Sequence, residues 1–177
     1  GQAAVQAGGR ARQEIAALAV VGSSEITFTS GATEANNIAI LGVARAALRS
    51  GDRRRRIVVS AIEHSSVLGP ARALEQEGFE LAFLPVDEDG LIKAGSIALT
   101  LNENTLLVSA MAANNEVGTR QPLDVIVARA REVGAMVHVD AAQAFGKVNL
   151  PLGDYDFASI SSHKMYGPGG IGALFIS

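Results

Sequence analysis

Apolar residues come in short blocks, and longer mixed stretches separate them. Gln2–Val20 is rich in Ala and sets Val5, Ile15 and Leu18 among polar residues, which predicts an amphipathic helix. Glu25–Thr29 (EITFT) alternates and is β-branched, which predicts a strand. Ser30 to Asn37 (SGATEANN) reads as a tight turn, and the apolar-periodic IAILGVARAAL after it as a helix. The pattern repeats down the chain. Strands are expected at Ile57–Ser60, Glu80–Leu84, Thr105–Met111, Met136–Asp140, Phe157–Ser161 and Ile171–Ile176. Helices are expected at Val67–Gln76, about Ala94–Leu101 and Pro122–Val133, the last with Pro at its start. Asp87–Gly90 and Gly167–Gly170 read as turns.

Regular alternation of strand and helix implies an α/β fold: three layers, α/β/α, around a mostly parallel mixed sheet with right-handed crossovers. No internal repeat or linker breaks residues 1–177, so one domain is expected. The chain is long enough for a sizeable core, and 48% hydrophobic against 19% charged residues argues against disorder. A net charge of −3 gives no general attraction to nucleic acid or anionic membrane, and the Arg53–Arg56 cluster reads as a solvated strand entry. No apolar run reaches membrane-spanning length, and no signal peptide is visible. The absence of cysteine excludes disulfides, a cysteine nucleophile and thiolate metal ligands within these residues, and no metal site is expected. The chain opens Gly-Gln and closes on an apolar strand, which reads as a piece of a longer protein.

Candidate chemistry gathers at strand exits, where α/β sheets bind ligands. Asp140 ends one buried strand, and Lys164 follows Phe157–Ser161. A lysine amine forms a Schiff base with an aldehyde, and a carboxylate can keep a pyridine nitrogen protonated. Together they suit pyridoxal phosphate; taken alone they also suit an ordinary ion pair. The Ser30–Thr33 turn precedes a helix whose free N–H groups can bind phosphate, with Gly31 admitting close approach and Thr33 offering a hydroxyl or a cap. A plain helix cap is the alternative. His64 lies past a strand end, before a helix that Ser65 or Ser66 could cap, where its ring could lie over a planar cofactor or bond local backbone. Asn115 could donate to a ring oxygen or belong to a polar turn, and Gln143 is within reach of the Asp140 pocket.

The segments FTSGATEANNIAI, IEHSSVL, NNEVGTRQPL, HVDAAQAFGKVNL and SSHKMYGPGGIGALFI resemble the cysteine desulfurases, in order and at similar spacing. These are class-V aminotransferase-group enzymes of pyridoxal-phosphate fold type I, and SGATEANN and EHSSVL look like the NifS/IscS-type branch. The resemblance implies that residues 1–177 are the cofactor-binding large domain, without an N-terminal segment and a small C-terminal domain. It implies that Lys164 carries the cofactor, Asp140 pairs with its ring nitrogen, and His64 stacks on the ring and moves protons. Gln143 would bond the ring hydroxyl, with Asn115 at the same edge. Ala32, Thr33, Ser161 and His163 would hold the phosphate by charge-assisted bonds. Burial and neighbouring imidazoles would lower the Lys164 pKa. The parent enzyme would be a cytoplasmic homodimer converting L-cysteine to L-alanine and passing sulfur to an acceptor or iron–sulfur scaffold protein. A selenocysteine lyase, another class-V aminotransferase, or a non-catalytic fragment that self-associates through exposed apolar surface are the alternatives. The persulfide-bearing cysteine of the family is absent here, and Gly169 stands where many relatives have lysine.

Overall fold

The computed structural model describes residues 1–113, 120–165 and 167–177. The elements are α1 (Gln2–Ala19), β1 (Ile26–Thr29), α2 (Ala32–Ser50), β2 (Arg56–Ser60), α3 (Ser65–Glu75), β3 (Glu80–Leu84), α4 (Ala94–Thr100), β4 (Thr105–Met111), α5 (Leu123–Val133), β5 (Met136–Asp140), β6 (Phe157–Ser161) and β7 (Gly172–Ile176). Among the described residues, seven strands form one sheet in the order β1-β7-β6-β5-β4-β2-β3. The pairs β3–β2, β2–β4, β4–β5 and β5–β6 are parallel, while β7 runs antiparallel to both β6 and β1. The expected mostly parallel mixed sheet is thus the one formed.

Side-chain alternation along the strands builds the layers. Ile57 and Val59 of β2 pack with Ile40, Val43 and Ala47 of α2 and with Val67, Ala71 and Leu74 of α3. Val58, between them, joins a separate core with Ala16 of α1, Ile97 of α4 and Ile126 of α5. Successive strand residues point to opposite faces, so a continuous apolar run serves two helical layers at once. All seven residues of β4 are buried, as a central strand covered on both faces requires.

Two helix starts differ in ways that matter. The α2 helix begins at Ala32 rather than after Asn37, so the turn shrinks and Thr33 to Asn37 are helical. The Ser30 N–H donates to Glu34 Oε2 at 2.6 Å, tying the entry to the first turn. The helix cap is Gly31, which has no capping side chain, so Thr33 is not the cap. The α3 cap is His64, not Ser65 or Ser66: its ring accepts from the Ser66 N–H. A ring nitrogen reaches the second helical N–H as a serine hydroxyl would.

Candidate functional site

Because β1, β2, β4, β5 and β6 share one direction, their carboxyl ends open along one side of the sheet. A cleft of about 420 Å³ lies there. Ala32, Thr33, His64, Asp140, Gln143, Ser161, His163 and Lys164 all line it. They come from the β1, β2, β5 and β6 exits, up to more than a hundred residues apart in sequence. Asn115 lies outside the described residues.

Asp140 is the buried centre. Its residue is 8% exposed, and its Oδ1 accepts the Ala142 N–H at 3.0 Å. Its Oδ2 accepts from the Asn36 amide at 2.9 Å. Burial pushes its pKa up, against the pull of the Ala142 N–H, the Asn36 amide and the His64 ring. Among the described residues Asp140 forms no ion pair with a lysine or arginine.

The opposite lip is open. Thr33, His64, His163 and Lys164 are exposed. Lys164 sits in a short 3-10 turn, Ser162–Met165, just past β6. Among the described residues Lys164 is exposed, so the burial expected for it is not provided by this part of the chain. Ser161 is buried, and its hydroxyl lies 2.8 Å from His163 Nδ1.

Two buried residues behind the cleft wall, neither singled out from sequence, bond to residues that line it. Asn36, fully buried in α2, donates through Nδ2 to Ser66 Oγ at 2.9 Å as well as to Asp140. Glu63 is 6% exposed, and one of its carboxyl oxygens accepts from the Ser60 hydroxyl and the Met111 N–H. Burial pushes Glu63 up to about 8; the nearby Asp140 charge adds to this, while the Ser60 and Met111 bonds oppose it. The signal for Asn36 was its place on α2: Ala35, Ala39, Ile40 and Val43 share its inward face.

The chain matches the class-V aminotransferase family over residues 1–177. It belongs to that family. It is 47% identical over 169 residues to a mitochondrial cysteine desulfurase of Drosophila melanogaster, covering 94% of this chain and 36% of that protein. It is 44% identical to the cysteine desulfurase IscS of Rickettsia felis, covering 94% of this chain and 40% of that protein. Among solved structures, SspA in complex with cysteine superposes with a TM-score of 0.92 at 40% identity, covering 99% of this chain and 50% of that one. The chain therefore spans well under half the length of these curated relatives.

Members of this family depend on pyridoxal phosphate, and the cleft fits it. A buried carboxylate without a cationic partner among the described residues suits a protonated ring nitrogen, whose charge offsets the cost of burying the acid. The α2 N-terminus has no capping side chain over it, and Ser161 and His163 stand beside it in the cleft wall. That donor set suits a phosphate dianion. The Lys164 amine borders the same cleft.

Proposed function

We propose that residues 1–177 are the cofactor-binding large domain of a cysteine desulfurase. The full protein takes L-cysteine and an enzyme thiol to L-alanine and an enzyme persulfide. One observation carries the reading: a buried acid and a lysine, delivered by two neighbouring parallel strands, meet in one cleft with a phosphate-type donor set. When bound, the cofactor supplies an aldehyde for the lysine and an electron-withdrawing ring. The residues divide the remaining work. Lys164 anchors and moves protons. Asp140 holds a proton on the ring nitrogen, and the Asn36 and Ala142 N–H groups keep its oxygens aimed. His64 covers the ring. Gln143 and Asn115 bond its oxygen edge. Ala32, Thr33, Ser161 and His163 hold the phosphate.

The solved relative SspA is in complex with cysteine, which supports L-cysteine as the substrate. These residues contain no cysteine, so the persulfide-bearing thiolate comes from elsewhere in the protein. A homodimer, a cytoplasmic location and a sulfur-accepting or iron–sulfur scaffold partner complete the proposal. Among the described residues, no helix is long and apolar enough to cross a membrane.

The test is an absorbance spectrum of the purified chain with pyridoxal phosphate, then borohydride reduction and peptide mapping. A visible band and a reduced adduct on Lys164 are expected, and Lys164→Ala abolishes both. A band that survives Lys164→Ala, or an adduct on Lys93 or Lys147 instead, overturns the assignment.

A further inference from the structure

Asp140 is held from two sides, and the two holds differ. The Ala142 N–H, two residues further along the same loop, donates to Oδ1 at 3.0 Å. That bond belongs to the loop of Asp140 itself and restrains one oxygen only. The second hold comes from another element: Asn36 Nδ2, in α2, donates to Oδ2 at 2.9 Å. Two donors, one on each oxygen and from separate elements, fix the plane of the carboxylate.

The amide is itself fixed. Asn36 is fully buried; its helix neighbours Ala35 and Ala39 pack with Leu174 of β7, and Ile40 and Val43 with Ile57 and Val59 of β2. Its second hydrogen goes to Ser66 Oγ of α3 at 2.9 Å. The reverse orientation of the amide would bury two unused N–H groups and set its oxygen against the carboxylate. Asn36 Oδ1 has no partner among the described residues. A leucine of similar volume would avoid the cost of that oxygen, so what the amide adds is its NH2 group. The residue stands about one turn past Ala32 and Thr33, which open the same helix and line the cleft.

We propose that Asn36 is a positioning residue: it holds the Asp140 carboxylate in one plane for the ring nitrogen, so that one helix, α2, sets the spacing between the phosphate cradle and the ring-nitrogen acid. The inference deepens the cofactor reading of the cleft and rests on it; the Asn36–Asp140 bond stands without it. The amide also favours the charged form of Asp140, against the burial that raises its pKa. Among the described residues, the titratable groups around Asp140 are His64 and Glu63 after β2, and His163 and Lys164 after β6. The His64 charge lowers the Asp140 pKa, and the Asp140 charge raises that of Glu63. A substitution at Asn36 leaves all four in place.

The experiment titrates the full chain, purified without cofactor, with two ligands: pyridoxal phosphate and its 1-deaza analogue, in which carbon replaces the ring nitrogen. Asn36→Leu is expected to weaken pyridoxal phosphate about tenfold, the worth of one hydrogen bond to a charged group, and to leave the analogue nearly unchanged. Equal losses for both ligands make Asn36 merely structural, and no loss for either makes its bond idle; each overturns the proposal. In an Asp140→Asn background, Asn36→Leu is expected to add nothing, and a further loss of the same size refutes action through Asp140. Asn36→Ala serves in the same comparison where leucine does not fold. A second readout needs no ligand: carbon-13 titration of the Asp140 carboxyl, assigned with Asp140→Asn. Asn36→Leu is expected to move its midpoint to higher pH, and an unmoved midpoint overturns the hold whether or not cofactor binds. A wild-type chain that takes up neither ligand while the midpoint still moves sinks the functional reading and leaves the hold on Asp140 standing.

Discussion

Glu63→Gln should change how the stability of the protein depends on pH, and the size of the change follows from burial. In the unfolded chain the carboxyl titrates near its ordinary value of 4.5; in the folded protein burial raises it to about 8. Between those values the folded state binds a proton that the unfolded chain has released. Stability is therefore full below pH 4.5 and falls as pH rises toward 8. One pKa unit is worth about 1.4 kcal/mol, so raising the pH from 5 to 9 costs the wild type about 4 kcal/mol through this group. Glutamine keeps an oxygen to accept the Ser60 hydroxyl and the Met111 N–H but cannot ionise. At pH 5 the two proteins should then agree within about 1 kcal/mol, since a neutral acid and an amide make similar bonds there. At pH 9 the variant should be the more stable by several kcal/mol. The assay is urea denaturation at half-unit pH steps, with stability taken from the midpoint and slope. The nearby Asp140 charge also raises Glu63, so Asp140→Asn should shift the wild-type fall to lower pH. Parallel pH profiles for wild type and Glu63→Gln would mean that Glu63 is ionised in the folded protein, and the burial argument would fail.

Two further outcomes are expected. His138 is fully buried between Ser109 Oγ at 2.7 Å and Ser159 Oγ at 2.9 Å, and burial lowers its pKa from 6.5 to about 3. Here the unfolded chain binds the extra proton, so stability is full above pH 6.5 and falls by up to about 5 kcal/mol as pH drops toward 3. His138→Gln should flatten that acid limb even where it lowers stability overall, and an acid limb of unchanged slope would refute the assignment. Gly172 pairs with Thr29 of β1 and Ser161 of β6, and a Cβ there would lie 2.6 Å from both Gly31 Cα and the Ile160 carbonyl oxygen. Gly172→Ala should cost about 2 kcal/mol or more, since backbone on both sides must give way. It should also weaken pyridoxal-phosphate binding by displacing the Gly31 entry to α2; wild-type stability and binding in a titration would show that the loop has room.

The layers of the fold were legible because strand residues here do one simple thing. Blocks such as IVV at 57–59 and LLV at 106–108 are too short and too uniformly apolar for a surface helix, and both serve two helical faces. What the pattern could not show was the start of α2. SGATEANN is polar, and polarity marks both turns and exposed first turns of helices. The Glu34 carboxylate reaching back to the Ser30 N–H tips that balance toward helix from Ala32. The same ambiguity hid the α3 cap, because a histidine ring does there what serine usually does.

That misplaced boundary also explains why the site was only half legible. Residues facing the cleft announced themselves, because Asp140, Lys164 and His64 are charged or aromatic groups just past apolar strands. Asn36 did not, because its meaning depends on being inside a helix. Within a turn it is one more solvated polar residue. Five positions into α2, on the face shared with Ala39, Ile40 and Val43, it is a buried amide that must find acceptors. The acceptors available are Asp140 and Ser66, which lie 104 and 30 residues further along the chain. Periodicity read with the corrected helix start would have flagged the residue; no local motif could have named its partners. Groups that aim the carboxylate in such a cleft are therefore found by asking where a buried polar side chain sends its hydrogens, and those that meet the ligand by asking where the strands end.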